Sequence, residues 1–95
     1  MLAIVATLRA QDGKGEALGD LLRELASQVR ANEPGAVTYV ATRSRTEPNT
    51  YKVLEVYKDE DALKAHGKSD HFRAAGGKFA DLLAGRPEIE QLDVV

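Results

Sequence analysis

One segment of regular hydrophobic spacing constrains the fold of this chain more than any other. Between about Gly15 and Asn32, apolar residues recur at intervals of three and four positions, and mostly polar residues lie between them. The apolar members are Leu18, Leu21, Leu22, Leu25 and Val29. This spacing predicts one long helix with a single apolar face. Pro34-Gly35 is typical of the point at which such a helix ends.

Segments rich in β-branched or alternating residues lie on both sides of this helix and predict four strands. The first is Leu2–Arg9, the second Ala36–Arg43 and the third Thr50–Lys58. The turn residues Thr46–Asn49 are expected to join the second strand to the third as a hairpin. The apolar residues of the predicted terminal strand are Ile89, Leu92, Val94 and Val95.

Two shorter helices are predicted between the third strand and the last. Asp59 is placed to cap the first of them, which we expect to run to about His66 and to end at Gly67. Ser69 is placed to cap the second. The apolar face of that second helix consists of Phe72, Ala75, Phe79, Leu82 and Leu83.

The predicted order of elements is therefore β-α-β-β-α-α-β, within a single domain spanning residues 1–95. This order predicts a ferredoxin-like α+β fold, in which a four-stranded, mostly antiparallel sheet carries its helices on one face. The first strand is apolar on both faces, and Leu54 and Val56 point away from the helices. An apolar sheet face needs a cover, so we expect a homodimer that packs sheet against sheet.

Composition excludes several classes of function. The 13 basic and 15 acidic residues are interspersed and give a net charge of −2, so no clustered positive patch favours nucleic acid. The chain has no cysteine, which excludes disulfides, thiolate catalysis and cysteine-ligated metals. No apolar run approaches the roughly 20 residues of a membrane span, and nothing resembles a signal peptide. We therefore expect a cytoplasmic protein.

Three ionisable residues are candidates for acid–base chemistry. Glu55 lies in the middle of the third strand, where a carboxylate is costly unless paired, so it is either a general acid or base or a structural partner. His66 is a candidate proton shuttle, or a buried histidine that ties helix to sheet. His71 lies in a first helical turn, where the helix dipole disfavours its cation, which suits a base or an orienting group.

The two histidines also raise the question of a metal site. They lie five residues apart across a glycine, without a common metal-ligand spacing, and no third acidic ligand is clearly placed beside them. We therefore predict no metal. A second candidate feature is a set of aromatic residues that either fill the core or line a pocket for a flat ligand: Tyr39, Tyr57, Phe72 and Phe79.

Several short motifs, taken in order, resemble the antibiotic biosynthesis monooxygenase family across nearly the whole chain. They are Ala6-Thr7-Leu8-Arg9 with Gly13-Lys14-Gly15, Glu33-Pro34-Gly35 followed by Tyr39, Glu55 with Tyr57, Asp59-x-x-Ala62-Leu63-x-x-His66, and Ser69-x-His71-Phe72. The resemblance implies a ferredoxin-like fold, a dimeric α+β barrel and a pocket between the sheet and the helices.

The resemblance also implies a chemistry. Several family members oxidise hydroxylated aromatics or quinols with O₂ and without metal, flavin or haem, because the deprotonated substrate itself reduces oxygen. On this basis we expect no cofactor, a small aromatic or quinol-like ligand, and catalytic roles for Glu55, His66 and His71. The implied substrate-binding residues are Tyr39, Val53, Tyr57, Phe72 and Phe79.

Two branches of the family differ from this chain at characteristic positions. The polyketide-oxidising members use an Asn and a Trp on the third strand, where this chain has Val53 and Tyr57. The haem-degrading members use an Asn, a Trp and a His, so haem degradation is not expected here. The corresponding positions hold Ala6 and Thr7, His66, and Gly76. Two alternatives stay open: an isomerase or tautomerase of a small carbonyl compound, and a non-catalytic ligand-binding dimer.

Overall fold

The computed structural model describes all 95 residues. Its elements follow the predicted order. They are β1 (Leu2–Arg9), α1 (Gly15–Asn32), β2 (Ala36–Arg43), β3 (Thr50–Tyr57), α2 (Glu60–Lys68), α3 (Asp70–Leu82) and β4 (Glu88–Asp93). No helix is both long and apolar enough to cross a membrane.

The four strands form one antiparallel sheet in the order β2-β3-β1-β4. This arrangement confirms the ferredoxin-like α+β fold. Because side chains alternate along each strand, the pairing of Ala6 with Val53, and of Val53 with Ala41, places these three residues on one face of the sheet. All three belong to, or pack against, the core that α1 and α3 cover.

The apolar face of α1 supplies the centre of that core. Leu18, Leu22, Leu25 and Val29 are all buried, as their spacing predicts. Tyr51 of β3 packs against the start of the helix, where its hydroxyl donates a hydrogen bond to the Gly15 carbonyl at 2.7 Å. The long helix is thereby fixed to the centre of the sheet at one end.

Side-chain caps begin both short helices. The Asp59 carboxylate accepts a hydrogen bond from the Ala62 amide at 2.8 Å, and the Ser69 hydroxyl accepts one from the Phe72 amide at 3.3 Å. The expectation that Gly67 ends α2 is wrong, because the helix continues to Lys68. A helical glycine costs only about 1 kcal/mol, and the turn is closed by Ser69, whose amide and hydroxyl both donate to the His66 carbonyl.

Both strands that pair with β1 end opposite its first residue, Leu2. Leu2 pairs with Tyr57 on β3 and with Asp93 on β4. The third strand therefore ends one residue earlier than predicted, and the expectation that the last strand includes Val94 and Val95 is wrong. One further hydrogen bond follows, from the Val94 amide to the Met1 carbonyl.

Gly76 and Gly77 lie exposed inside α3, and a methyl group added at either position would meet no atom within 4 Å. Replacing either glycine by alanine is therefore expected to raise the free energy of unfolding by about 1 kcal/mol. Chemical denaturation measures the change. Gly35→Ala is the matched control, because its added carbon would lie 2.6 Å from the Ala62 side chain and should destabilise the fold. Equal effects at the three positions would contradict this description of α3.

Candidate functional site

A mostly apolar cavity of about 410 Å³ lies between the sheet and the helices. Eleven of its 16 lining residues are hydrophobic. The sequence-predicted residues among them are Tyr39, Val53, Glu55, His66, Phe72 and Phe79. Pro87, Ile89 and Gln91, which also line the cavity, are exposed residues of β4 and the segment before it. The cavity therefore opens at the β4 edge of the sheet.

Two residues predicted to belong to the site do not line this cavity. Tyr57 is completely buried, and its hydroxyl donates a 2.6 Å hydrogen bond to Glu55 Oε1. Tyr57 lies on the same strand face as Glu55, because residues two apart on a strand share a face. Its fully buried side chain supports the carboxylate and does not reach the cavity. His71 lies beside an open groove between α1 and α3. The expectation of a direct ligand contact for Tyr57 is corrected accordingly.

The Glu55 carboxylate is held in an environment that favours its neutral form. Only 7% of the residue is exposed, and this burial raises the pKa of the carboxyl above its ordinary value. The Tyr57 hydrogen bond and the nearby His66 lower the pKa in part. Glu55 Oε1 bonds to Tyr57, whereas Oε2 has no partner. Because no fully buried polar atom lacks a partner, Oε2 keeps accessible surface on the cavity side.

His66 lies within a cluster of rings. Its ring centroid is 4.8 Å from that of Phe72, 5.4 Å from Tyr39 and 5.5 Å from Tyr57, all tilted. Such packing restricts rotation of the imidazole. His66 Nδ1 is hydrogen-bonded, but Nε2 has no partner. By the same argument as for Glu55, this nitrogen retains access to the cavity that His66 lines.

Sequence reasoning missed Glu33, the residue that joins the two histidines. Its Oε2 lies 2.9 Å from His66 Nδ1 and also bonds to His71 Nε2. The expectation that no acidic residue lies beside the histidines is therefore wrong. One signal was available: Glu33 follows the last residue of α1, where the helix dipole disfavours a negative charge. Hydrogen bonds from two imidazoles offset that disadvantage.

The same three side chains are the group that could hold a metal ion. Their ligand atoms lie within 4.8 Å of one another, and a carboxylate with two imidazoles suits zinc or iron. A metal would require each donor about 2.1 Å from a common centre. In the structure the carboxylate lies within hydrogen-bonding distance of both imidazole nitrogens.

Comparison with known proteins decides the family. The model of the family described as "Antibiotic biosynthesis monooxygenase" matches residues 1–78. The chain belongs to the antibiotic biosynthesis monooxygenase family. It is 32% identical over 95 residues to the Bacillus subtilis protein named "Putative monooxygenase YcnE", covering all of this chain and 94% of that protein. The resemblance found in the sequence is thus confirmed.

Solved structures of similar proteins share the fold of this family member. A crystal structure from Caulobacter crescentus CB15, described as a "putative antibiotic biosynthesis monooxygenase", has a TM-score of 0.94 and 48% identity and covers 99% of this chain and 89% of its own. PA3566 from Pseudomonas aeruginosa has a TM-score of 0.91 and 30% identity, with coverage of 99% and 93%. Family membership supports a monooxygenase-like function.

The hydrogen bond from Tyr57 to Glu55 is expected to make the stability of the protein depend on pH. Tyr57→Phe removes a donor that lowers the pKa of Glu55, so that pKa should rise further. When the pKa of Glu55 is higher in the folded than in the unfolded protein, Glu55 contributes stability at acid pH, and this contribution is lost as pH rises through the folded-state pKa. The free energy of unfolding of the variant should therefore fall by roughly 1.5–3 kcal/mol at neutral pH and by less at acid pH.

Tyr51→Phe is the matched control for this experiment. The Tyr51 hydroxyl donates to the neutral Gly15 carbonyl, so loss of this hydrogen bond should lower the free energy of unfolding by about 1 kcal/mol at every pH. Urea unfolding of both variants at several pH values measures the difference. If the loss of unfolding free energy in Tyr57→Phe does not change with pH, the Tyr57 hydroxyl does not stabilise an ionised Glu55.

Proposed function

We propose that the protein is a cofactor-independent monooxygenase that oxidises a small hydroxylated aromatic or quinol with O₂. The observation that carries the proposal is the cavity of about 410 Å³, whose apolar wall holds two acid–base atoms without hydrogen-bond partners, Glu55 Oε2 and His66 Nε2. A few convergent polar groups in an apolar pocket are typical of a small-molecule site. The family assignment supports the reaction class.

In the proposed reaction the substrate supplies all four electrons that reduce O₂. A base removes the hydroxyl proton, and the electron-rich ring carbon transfers electrons to oxygen and forms a C–O bond, giving a hydroperoxide. The O–O bond then breaks as the proton on that carbon leaves. The ring gains one carbonyl oxygen, and the second oxygen atom departs as water with the two released protons. A phenol plus O₂ thus becomes a quinone plus water.

The residues of the cavity have separate roles in this proposal. His66 abstracts the hydroxyl proton, and Glu55 takes the proton that leaves the ring carbon; burial makes the Glu55 carboxylate a stronger base by raising its pKa. His71 acts from outside the cavity, through its bond to Glu33, and orients the cluster. Phe72 and Phe79 pack against the flat ring, and the apolar wall shelters the intermediate from water.

We also propose that the working form is a homodimer built on the face of the sheet without helices. Three apolar residues form a row across that face, since Leu54 pairs with Val5 on one side and with Val40 on the other. Leu54 is 43% exposed and Val40 is 45% exposed in the single chain. Leu92 of β4 lies on the same face and is 41% exposed. A second copy would bury this surface.

Oxygen consumption by the purified protein on a panel of phenols and hydroquinones tests the function. At least one substrate should give O₂ uptake that a Glu55→Gln, His66→Ala double variant lacks. The panel is repeated without oxygen, because an isomerase or tautomerase using the same base would turn over anaerobically. Binding without conversion would instead identify a ligand-binding protein, and either result would reject the proposal.

A further inference from the structure

The geometry at Glu33 determines where the protons of two histidines lie. Both His66 Nδ1 and His71 Nε2 bond to the same carboxylate oxygen, Glu33 Oε2. An ionised carboxylate only accepts hydrogen bonds, so each of these ring nitrogens must carry the hydrogen. A neutral imidazole has one protonated nitrogen, which leaves His66 Nε2 and His71 Nδ1 bare.

We infer that Glu33 is a positioning residue that holds His66 in the tautomer with a bare Nε2 facing the cavity. This inference deepens the proposed function and rests on it in one respect, namely that the bare nitrogen acts as the base toward the substrate hydroxyl. Without Glu33 the ring would be free to protonate Nε2, and that form has no acceptor to offer a substrate.

The surroundings of the cluster strengthen this assignment. The Glu33 side chain is 8% exposed and that of His66 is 6% exposed, so water competes little for their hydrogen bond. No lysine or arginine bonds to Glu33; the two imidazoles are its side-chain partners. The carboxylate also lies beside the imidazolium that forms when His66 takes a proton, and so stabilises that charge.

The cluster is arranged to hold a proton and not to conduct one. Because both imidazoles donate to Glu33, a proton passed from His66 to the carboxylate meets a nitrogen of His71 that is already protonated. The path to the α1–α3 groove beside His71 is therefore blocked. His66 keeps the proton that it takes from the substrate hydroxyl and can return it to the oxygen atom that leaves as water.

Nitrogen NMR of the histidine rings tests the inference without any substrate. The chain has two histidines, so ¹⁵N-histidine labelling gives two ring systems, which a His71→Gln variant assigns. Spectra are recorded where the rings are neutral, with EDTA present so that a metal on the same donors cannot mimic the result. We expect wild-type His66 protonated on Nδ1 and bare on Nε2. A His66 protonated on Nε2 in the wild type overturns the inference.

Variants at Glu33 separate positioning from a merely structural role. In Glu33→Ala the acceptor is absent, so His66 should shift toward the Nε2-protonated form while the fold persists. Glu33→Gln is the milder variant. Its carbonyl oxygen can still accept from the rings, but its NH₂ group takes the place of Oε1, which lies 3.1 Å from His66 Nδ1, and so sets a donor against a protonated nitrogen. Retention of the wild-type tautomer in a folded Glu33→Ala protein would also overturn the inference.

A kinetic readout distinguishes failure of this inference from failure of the proposed function. With an active substrate, Glu33→Gln should lower kcat roughly 100-fold or more and leave KM nearly unchanged. The exposed Glu47→Gln is the control and should change neither. A Glu33→Gln effect on KM alone would overturn the inference. If no substrate turns over but the tautomers are as expected, the proposed oxidation fails and the positioning of His66 stands.

Discussion

An aspartate in place of Leu54 is expected to destroy the proposed dimer. The substitution places a charge at the centre of the apolar row that Leu54 forms with Val5 and Val40. Burying an unpaired carboxylate in a dry interface costs several kcal/mol, and about 4 kcal/mol corresponds to a roughly 1,000-fold weaker dimer. Analytical ultracentrifugation should find the wild type dimeric at micromolar concentration and the variant monomeric or unfolded.

Lys52→Asp is the matched control for this experiment. Lys52 lies on the same face of β3, two residues from Leu54, but it is exposed and its strand neighbours are Thr7 and Thr42. A charge there is expected to be tolerated. A standard dimer interface buries about 1,600 Å² in total. A wild-type protein that sediments as a monomer at micromolar concentration would contradict the assembly proposed here.

Glu55→Gln is expected to change activity and stability in opposite directions. Removing a general base should lower kcat by about 10²- to 10⁴-fold. The glutamine carbonyl can still accept the Tyr57 hydroxyl proton, and it carries no charge that burial would penalise. Because burial raises the folded-state pKa of Glu55, the wild type loses stability as pH rises through that pKa. The variant should therefore be more stable than the wild type at neutral pH.

The pH dependence distinguishes this effect from an ordinary surface substitution. The stability advantage of Glu55→Gln should shrink as pH falls and Glu55 becomes protonated. Glu47→Gln, in the exposed turn between β2 and β3, should show no such trend. Urea unfolding from acid to neutral pH, together with kcat at each pH, makes the comparison. A variant that is less stable than the wild type at every pH would indicate a structural role for the carboxylate.

The fold could be predicted from the sequence because its signals are local and repeated. The spacing of Leu18, Leu22, Leu25 and Val29 matches one helix face, and alternation along β2 and β3 predicts which residues meet that face. Asp59 and Ser69 predict where α2 and α3 begin, because a capping side chain bonds to a backbone amide only three residues further along the chain. The errors lie at element ends: β3 and β4 end where their pairing with β1 ends, and Ser69 closes α2 beyond Gly67.

The site was predicted only in part, because it depends on contacts between distant segments. Glu55 and His66 were identifiable since a polar residue in an apolar pattern is conspicuous. Glu33 was not, because nothing in its spacing shows that the end of α1 meets the histidines of α2 and α3. Tyr57 shares a strand face with Val53, but only the packed structure shows that it lies behind Glu55 and not against the cavity.

Oxygen isotope labelling tests the central claim most directly. Once the panel of phenols and hydroquinones has identified a substrate, the wild-type protein, treated with EDTA and freed of small molecules, is supplied with ¹⁸O₂ in ordinary water. We expect one ¹⁸O atom in the quinone product at its formation, as shown by mass spectrometry of rapidly quenched samples, and loss of the product in the Glu55→Gln, His66→Ala variant. A product formed equally well under nitrogen, or one without ¹⁸O at the earliest times, would contradict it.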